Sequence, residues 1–588
     1  MQRFKQWFVL SFLLLIFLAS SWSLLVTNQF FRVHDFTQAG RIAEMARALQ
    51  DGHFPVRWTQ NFGYGYGMPL FEFYGPLPFY LGSIVFIISN NVIISIKFLY
   101  LLTNLGTMLG GYFLGKKFFG QAGGLLVAAF LTLAPYRAMN LFARGALNEA
   151  WGIMFLPWII LGLIKLFHQE KAGWQIFFLS LVGLFLSHNI TTMIFLPVLL
   201  VFAGSYGLWM VWQQAPELFR KGRFRLRNLI RIGWQIVSSG LLAVGAASFY
   251  LLPAFLEKNY TQVEKIILTP YFDYHLHFLY IRQFFIPNWG YGGSGWGTED
   301  QISFFFGWGQ LLALVVLVLL WLVSIFRKFF NQAQPITQQK FFFTSLFAGL
   351  FLTTSLMSLL KTQFLWDKIE LFKFIQFPWR WLGITIVFLA LLLASLVWLV
   401  KNKIVRVWLT GLLVVITVFG SAIYFRPEKY LVDSTDFYYT DPLKIRHQLS
   451  SILPDYISAD MVEKPTVIPE KLVMNINNDT DSFEVLVDRT QEKLIKTNFA
   501  ETTDLELAVA TYPGWRAEID GQWWNKAKGE NGNILLAVPA GSHLISLRFE
   551  GTNLRTIADY LSLLSWLIFI YLIFPKKIVT KQPREQYD

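Results

Sequence analysis

WFVLSFLLLIFLASSWSLLVT, from Trp7 to Thr27, decides the class of this chain, because about 20 consecutive apolar residues suffice to cross a bilayer as a helix. Arg3 and Lys5 precede it, so positive-inside bias puts the N-terminus in the cytoplasm and Asn28 onward outside. Ala19-Ser20-Ser21 has the small residues of a signal-peptidase site, yet the apolar run continues past it and reads as an uncleaved anchor. Soon after the span the chain writes Phe31-Arg32-Val33-His34-Asp35-Phe36. A carboxylate held at the outer membrane surface, beside a His and two Arg, can act on a substrate that the lipid presents.

Composition extends this reading to the whole chain. Of 588 residues 54% are hydrophobic and only 15% charged, where a soluble domain holds about 25% charged residues. The net charge of +13 is no nucleic-acid signal, because the basic residues cluster between apolar segments rather than on one face. Cys is absent, which excludes thiol catalysis, thiolate metal sites and disulfides. The apolar segments predict spans at 7–27, 92–115, 123–141, 148–167, 174–187, 190–212, 233–256, 301–326, 341–360, 380–400, 407–424 and 558–575. Segment 76–90, rich in Pro and aromatics, reads as re-entrant or interfacial. With about twelve crossings, Lys116/Lys117, Lys165/Lys171, the Lys221–Arg231 cluster, Arg327/Lys328, Lys401/Lys403/Arg406 and Lys576/Lys577 all fall inside.

The expected architecture is a polytopic α-helical membrane domain over 1–425, an extracytoplasmic domain over 426–557, and a last span with a basic tail over 558–588. In the outer domain, short alternating runs (Ser482–Val487, Leu505–Ala510, Ile534–Val538, Leu544–Phe549) are separated by turn signals at Asp520-Gly521 and Asn531-Gly532. They predict a small antiparallel β-sandwich.

Polar candidates gather on the outer side. Ile42, Met45, Ala46 and Leu49 recur at helical spacing, with Arg41, Glu44 and Arg47 on other faces, predicting an amphipathic helix on the membrane. Asp35 then caps that helix with Gln38, pairs with a neighbouring Arg, or serves chemistry. After the helix come Arg57-Trp58, then Asn61-Phe62-Gly63-Tyr64-Gly65-Tyr66-Gly67, then Phe71-Glu72-Phe73-Tyr74-Gly75-Pro76. Tyr64 and Tyr66 between glycines offer flat faces that suit sugar rings or a membrane interface. Arg57 beside Trp58 is an anion-binding guanidinium at headgroup level. Arg144, Asn148 and Glu149 form a second polar group at a span end, and His188-Asn189 interrupts two short spans on the same side. Arg380, after Gln376-Phe377-Pro378-Trp379, lies where a lipid phosphate or a snorkelling cation would. Asp273, His275 and His277 alternate as on one side of a strand, so with Asp35 they are the weak candidates for a divalent metal. The glycines from Gly290 to Gly309 suit a loop that covers substrate.

These residues carry a resemblance. A first span followed by an outer-loop Asp before a surface helix resembles the GT-C superfamily of integral-membrane glycosyltransferases. More closely, His34-Asp35, Gly52-His53-Phe54-Pro55-Val56-Arg57-Trp58, Tyr64-Gly65-Tyr66-Gly67, Phe71 to Pro76, Arg144-Gly145-Ala146 with Glu149, Ser187-His188-Asn189 and Gln376 to Arg380 resemble a prokaryotic membrane-protein family labelled pyruvoyl-tetrahydropterin synthase-related. Nothing in the chain resembles the soluble pterin enzyme itself. Tyr512-Pro513-Gly514-Trp515 through Pro539-Ala540-Gly541-Ser542-His543 is similar to the outer domain of bacterial membrane proteins that glycosylate lipoteichoic acid. The resemblance implies a sugar transferase of the plasma membrane. It would use a polyprenyl-phosphate-linked sugar donor on the extracytoplasmic face, and a glycan, lipid or protein acceptor. Asp35 would be the general base that deprotonates the acceptor hydroxyl, or would position it, with His34 and Glu149 as further catalytic candidates. Trp58, Tyr64, Tyr66, Glu72 and Asn189 would contact substrate. Arg57, Arg144, His188 and Arg380 are the donor-phosphate candidates by charge. No cofactor is implied with certainty, since some GT-C enzymes use a divalent metal and others none. A transporter or flippase of lipid-linked glycans, or a membrane scaffold without chemistry, is the alternative. The scarcity of ionisable residues deep in spans, Lys97 aside, weighs against a transporter.

Overall fold

A computed structural model describes residues 2–221, 223–267, 269–329, 337–432, 434–452, 456–475 and 482–573. Its longer helices, in chain order, are α1 (Gln2–Leu25), α2 (Gln38–Gln50), α3 (Leu77–Ser89), α4 (Val92–Thr132), α5 (Leu147–Phe167), α6 (Gly173–Phe185) and α7 (Asn189–Lys221). They continue with α8 (Arg223–Ala246), α9 (Ser248–Leu256), α10 (Trp308–Phe329), α11 (Gln338–Leu356), α12 (Leu382–Ala394), α13 (Lys403–Ser421) and α14 (Asn553–Ile573). Among the described residues eight helices are long and apolar enough to cross a membrane, or nine if the bent pair α8 and α9 is one span. This is a largely helical protein of membrane type with a sheet domain near its C-terminus.

The helix ends correct several expected spans. Helix α4 breaks at Gly120 (φ 74°) and stops at Thr132, so the expected span 123–141 is cut short. Pro135 starts a new turn, and Met139–Arg144 follows as a single π-helical stretch. The expected spans 174–187 and 341–360 are helical, but α6 is too short and α11 falls short of the hydropathy of a crossing. The expected span 301–326 begins as extended chain and becomes helical only at Trp308. Segment 76–90 is the short helix α3, about 20 Å long at 1.5 Å per residue. Lys576/Lys577 lie outside the described residues.

Helices apolar on every side belong in the interior. In the most apolar 18-residue stretch of Pro378–Trp398, which contains α12, 94% of the residues are buried, and in that of α5 83%, against 22% in those of α10 and α14. These two therefore form the axis around which the rest pack. The α8–α9 pair bends by 73° at Ala247.

The sheet domain holds β1 (Val473–Asn475), β2 (Ser482–Arg489), β3 (Glu492–Phe499), β4 (Thr503–Ala510), β5 (Trp515–Ile519), β6 (Gln522–Trp524), β7 (Ala527–Lys528), β8 (Asn533–Val538) and β9 (Gly541–Phe549). They make two antiparallel sheets, ordered β1-β4-β8-β7 and β2-β3-β9-β5-β6. Leu505, Leu507, Ile534 and Leu536 from one sheet and Ile495, Ile545 and Leu547 from the other are fully buried, as alternation demands of two inner faces. Asp520 (φ 49°) and Gly521 (φ 77°) make the two-residue turn between β5 and β6 that their sequence signals. The sandwich expected over 426–557 thus has its strands within 473–549.

The first loop docks this domain onto the helices. Trp58 is 1% exposed and packs on Tyr512, Trp515 and Phe549, and Tyr66 accepts from Ala510 N at 2.7 Å. Asp51 accepts from the backbone N–H and hydroxyl of Thr490. The amphipathic helix expected on the membrane surface is instead buried nearly all round. Arg41 and Glu44 do not face water because each has a partner: Arg41 meets Asp35, and Glu44 accepts from the backbone and side chain of Asn61.

Candidate functional site

One cavity of about 790 Å³ brings together seven of the candidate residues: His34, Asp35, Arg144, Glu149, His188, Asn189 and Arg380. The backbone sets their proximity. His34 N donates to Ala143 O at 3.0 Å and Asp35 N to Arg144 O at 2.9 Å, so the strand carrying Asp35 lies beside the end of the π-helical turn. Gly145 (φ 68°) allows this, for a Cβ there would meet Val33 and the Asp35 carbonyl. A Cβ on Gly75 would collide with Ser187 O, and Asn148 Nδ2 donates to both Gly75 O (2.9 Å) and Ser187 O (2.8 Å). These contacts clamp the first loop to the α6–α7 turn.

Asp35 is not the N-cap of α2. The helix begins at Gln38 after Thr37, and no side chain caps it. Asp35 instead accepts from Thr37 Oγ1 (2.6 Å), Gln38 Nε2 (2.8 Å) and Arg41 Nη1 (3.0 Å). A carboxylate offers about four lone-pair sites, so one remains for a ligand. Its side chain is 22% exposed while Arg41 is 2% exposed, so the cation lies behind and the carboxylate faces the cavity.

Glu149 anchors the cationic side. Tyr136 Oη (2.5 Å) and Asn140 Nδ2 (3.2 Å) donate to Oε1, while Arg144 Nη1 donates to Oε2 at 2.7 Å. Arg380 Nε lies 3.6 Å from the same Oε2, and its Nη1 donates to Ile375 O and Gln376 Oε1. The guanidinium of Arg144 lies over the Trp379 ring at 4.5 Å. Two arginines share one glutamate, so the cluster keeps an excess positive charge. Glu149 is 3% exposed and holds the two arginines in place; Arg380 is thus a buried, bonded group rather than a snorkelling anchor.

The histidines differ from cations. Burial pushes the His188 imidazole down to about 3, with Arg380 and Arg144 adding to this against Glu149, so it is neutral at neutral pH. Its Nδ1 is held by Thr191. Burial also lowers His34, whose Nε2 lies 2.8 Å from Tyr291 O. Asn189 accepts from Tyr250 Oη at 2.9 Å.

Several expected site residues do not line this cavity. Trp58, Tyr66 and Glu72 are buried where the first loop meets the sheet domain, and Arg57 and Tyr64 are buried elsewhere in that loop. Pro253 lacks the N–H that would bond Phe249 O; Arg57 donates to that carbonyl at 3.2 Å and to Asp559 at 2.6 Å. Glu72 accepts from Tyr512 Oη at 3.0 Å and pairs with Arg555, so it too serves docking. The alternation expected of Asp273, His275 and His277 is broken by short 3-10 turns. His275 lies between Asp273 and Asp367, while His277 turns inward to Ser294 and Tyr271 O. Among the described residues no group of three or more His, Asp or Glu side chains is arranged to hold a metal ion. The sequence reading passed over Tyr136, Asn140 and Lys258. The first two sat inside an expected span, where a Tyr-Arg pair followed by Asn was the available signal.

The far side of the cavity is mostly apolar, apart from the Lys258–Glu264 pair, whose ammonium lies over the Phe374 ring at 5.5 Å. Ile190 and Met193 of α7, Phe255 of α9, and Leu371 and Phe374 line it, with Phe255 74% exposed at the rim. Tyr456 stacks on Phe73 (5° between planes) to complete the wall from the sheet-domain side.

No family model matches the chain. A stretch of 273 residues is 25% identical to an uncharacterized protein of Lactococcus lactis subsp. cremoris (strain MG1363), covering 43% of this chain and 40% of that protein. The chain thus spans well under two-thirds of that relative's length.

Proposed function

We propose that the protein is a membrane glycosyltransferase of GT-C type, using a polyprenyl-phosphate-linked sugar and an acceptor on the outer face of the plasma membrane. The observation that carries this reading is a carboxylate and an arginine pair in one cavity whose other wall is mostly apolar, with the one ion pair Lys258–Glu264, and opens beside exposed Phe255. Such a cavity suits a ligand with an anionic head and a greasy tail. In the proposed step Asp35 takes the proton of an acceptor hydroxyl, whose oxygen attacks the anomeric carbon. The bond from that carbon to the phosphate oxygen breaks, and its electron pair leaves on the phosphate. Arg144 and Arg380 neutralise the charge that develops there. Glu149 positions them, and neutral His188 can donate or accept a hydrogen bond without adding charge. Trp58, Tyr64 and Tyr66 take no part in this reading, and no metal is required by it. The topology proposed with it, from the basic residues between segments, puts the N-terminus in the cytoplasm and the first loop and the sheet domain on the outer face.

The test is release of polyprenyl phosphate from defined donors by purified protein. Asp35→Asn should lower turnover about 100-fold or more at normal expression and fold. Arg144→Lys keeps the charge but loses the planar fork, so the donor KM should rise. Wild-type turnover in the Asn variant, or movement of a lipid-linked glycan across vesicles without any transfer, would overturn the proposal.

A further inference from the structure

A second cleft, of about 490 Å³, lies between α4, α5 and α6. Lys116 and Lys117 from α4, Lys165 from α5 and Glu170 from the turn after it stand around it, and Phe113 and Trp158 form its walls. The cleft is remote from the cavity. Glu149 lies in the first turn of α5 and Lys165 in the last, about 24 Å further along at 1.5 Å per residue. That separation approaches the roughly 30 Å thickness of a bilayer's hydrocarbon core.

The charges at the cleft do not cancel. Lys117 pairs with Glu170, and Lys165 Nζ lies 3.5 Å from the same carboxylate. Lys116 has no carboxylate partner among the described residues and sits over the Tyr112 ring at 5.7 Å. Three lysines therefore face one glutamate. A lysine in the last turn of a helix offsets the helix dipole, which would account for any one of them. It does not account for lysines from two helices meeting at a concave site with aromatic walls. Phe113 is 42% exposed and Trp158 half-buried, its indole N–H donating to Gly106 O at 2.9 Å. The two rings pack on each other at 5.8 Å between centroids, and the exposed surface of Phe113 is open to an apolar chain.

We propose that this cleft binds the phosphate headgroup of an anionic glycerophospholipid, with an acyl chain along Phe113 and Trp158. A soluble anion would gain nothing from the aromatic walls. A zwitterionic headgroup would bring its own cation against Lys116. This site is independent of the transferase reading, because none of its residues lines the first cavity.

The full chain, purified in a neutral detergent, is titrated with phosphatidylglycerol or phosphatidylcholine, and retained lipid is read by native mass spectrometry. Phosphatidylglycerol should be retained selectively, and Lys116→Gln with Lys165→Gln should weaken it about five-fold for each lysine removed. Glu170→Gln, which raises the local positive charge, should tighten binding and decides the matter if the double variant fails to fold. Equal retention of both lipids, no weakening in a folded double variant, no tightening in Glu170→Gln, or full displacement by equimolar inorganic phosphate would overturn the proposal.

Discussion

His188 shows how burial turns a titratable residue into a fixed one. Its imidazole is held down to about 3 by burial among Arg380 and Arg144, so the folded protein keeps it neutral where the unfolded chain, near 6.5, begins to protonate. His53, also buried and pushed to about 3 with Arg57 beside it, acts in the same direction. A group whose folded value is depressed contributes stability in full above the unfolded value and loses it as pH falls toward the folded one. Both histidines therefore favour the folded state above pH 6.5 and oppose it progressively between 6.5 and 3. The expected outcome is a thermal midpoint that falls as pH is lowered through this window, with a shallower fall in His188→Gln. An identical pH dependence in the variant would mean that the imidazole is not buried neutral.

At the level of elements, the sequence disclosed positions better than partners. Many of the helical segments, four of the nine strands of the sandwich (β2, β4, β8 and β9) and the β5–β6 turn follow from periodicity and turn residues, which act locally. Asp35, Arg144, Glu149, His188 and Arg380 were legible as polar residues at apolar boundaries, and the cavity unites them. What local patterning could not show is the docking of the sheet domain. Trp58, Tyr66 and Glu72 looked like exposed ligands because their partners, Phe549, Ala510 and Arg555, lie more than 400 positions away. The Glu72 cluster makes this testable. Arg555 is fully buried and faces Glu257 Oε2 at 2.7 Å and Glu72 Oε1 at 3.2 Å. Burial, with Glu257 beside it, pushes Glu72 up to about 8 despite Arg555. Glu257 moves down, because hydrogen bonds and the Arg555 charge outweigh its own burial. Near pH 7 the pair thus holds one proton, on Glu72, and one negative charge, on Glu257. Glu72→Gln imitates the protonated carboxyl and should cost less than about 1 kcal/mol. Glu257→Gln leaves Arg555 without its anion and should cost about 3–5 kcal/mol. Equal losses in thermal unfolding would refute this division of the proton. Because folded Glu72 keeps its proton up to about 8 while the unfolded carboxyl releases it near 4.5, its contribution fades as pH rises through that window, opposite to the histidines.

The whole molecule is organised by the sheet domain closing over the first loop. That domain is tied to the chain by α13 before it and α14 after it, and the segment leading into it contributes Tyr456 to the cavity wall. Loop and domain must therefore lie on the same side of the helical bundle as the cavity, with the Lys116–Glu170 cleft at the opposite end. Gln60 Nε2 donates to Asp488 Oδ1 at 2.9 Å, so these two positions report the docking directly. The chain has no cysteine, so Gln60→Cys with Asp488→Cys introduces the only thiols. A short bis-maleimide should link them in the purified protein, and a membrane-impermeant maleimide should reach either one from the same side of intact cells. A third variant, Glu170→Cys, sits at the other end of α5 and should be labelled only when that side is opened. Failure of the cross-link would separate domain from loop. Labelling of Glu170→Cys together with Gln60→Cys, without permeabilisation, would place both ends of the bundle on one side and deny that α5 crosses a bilayer.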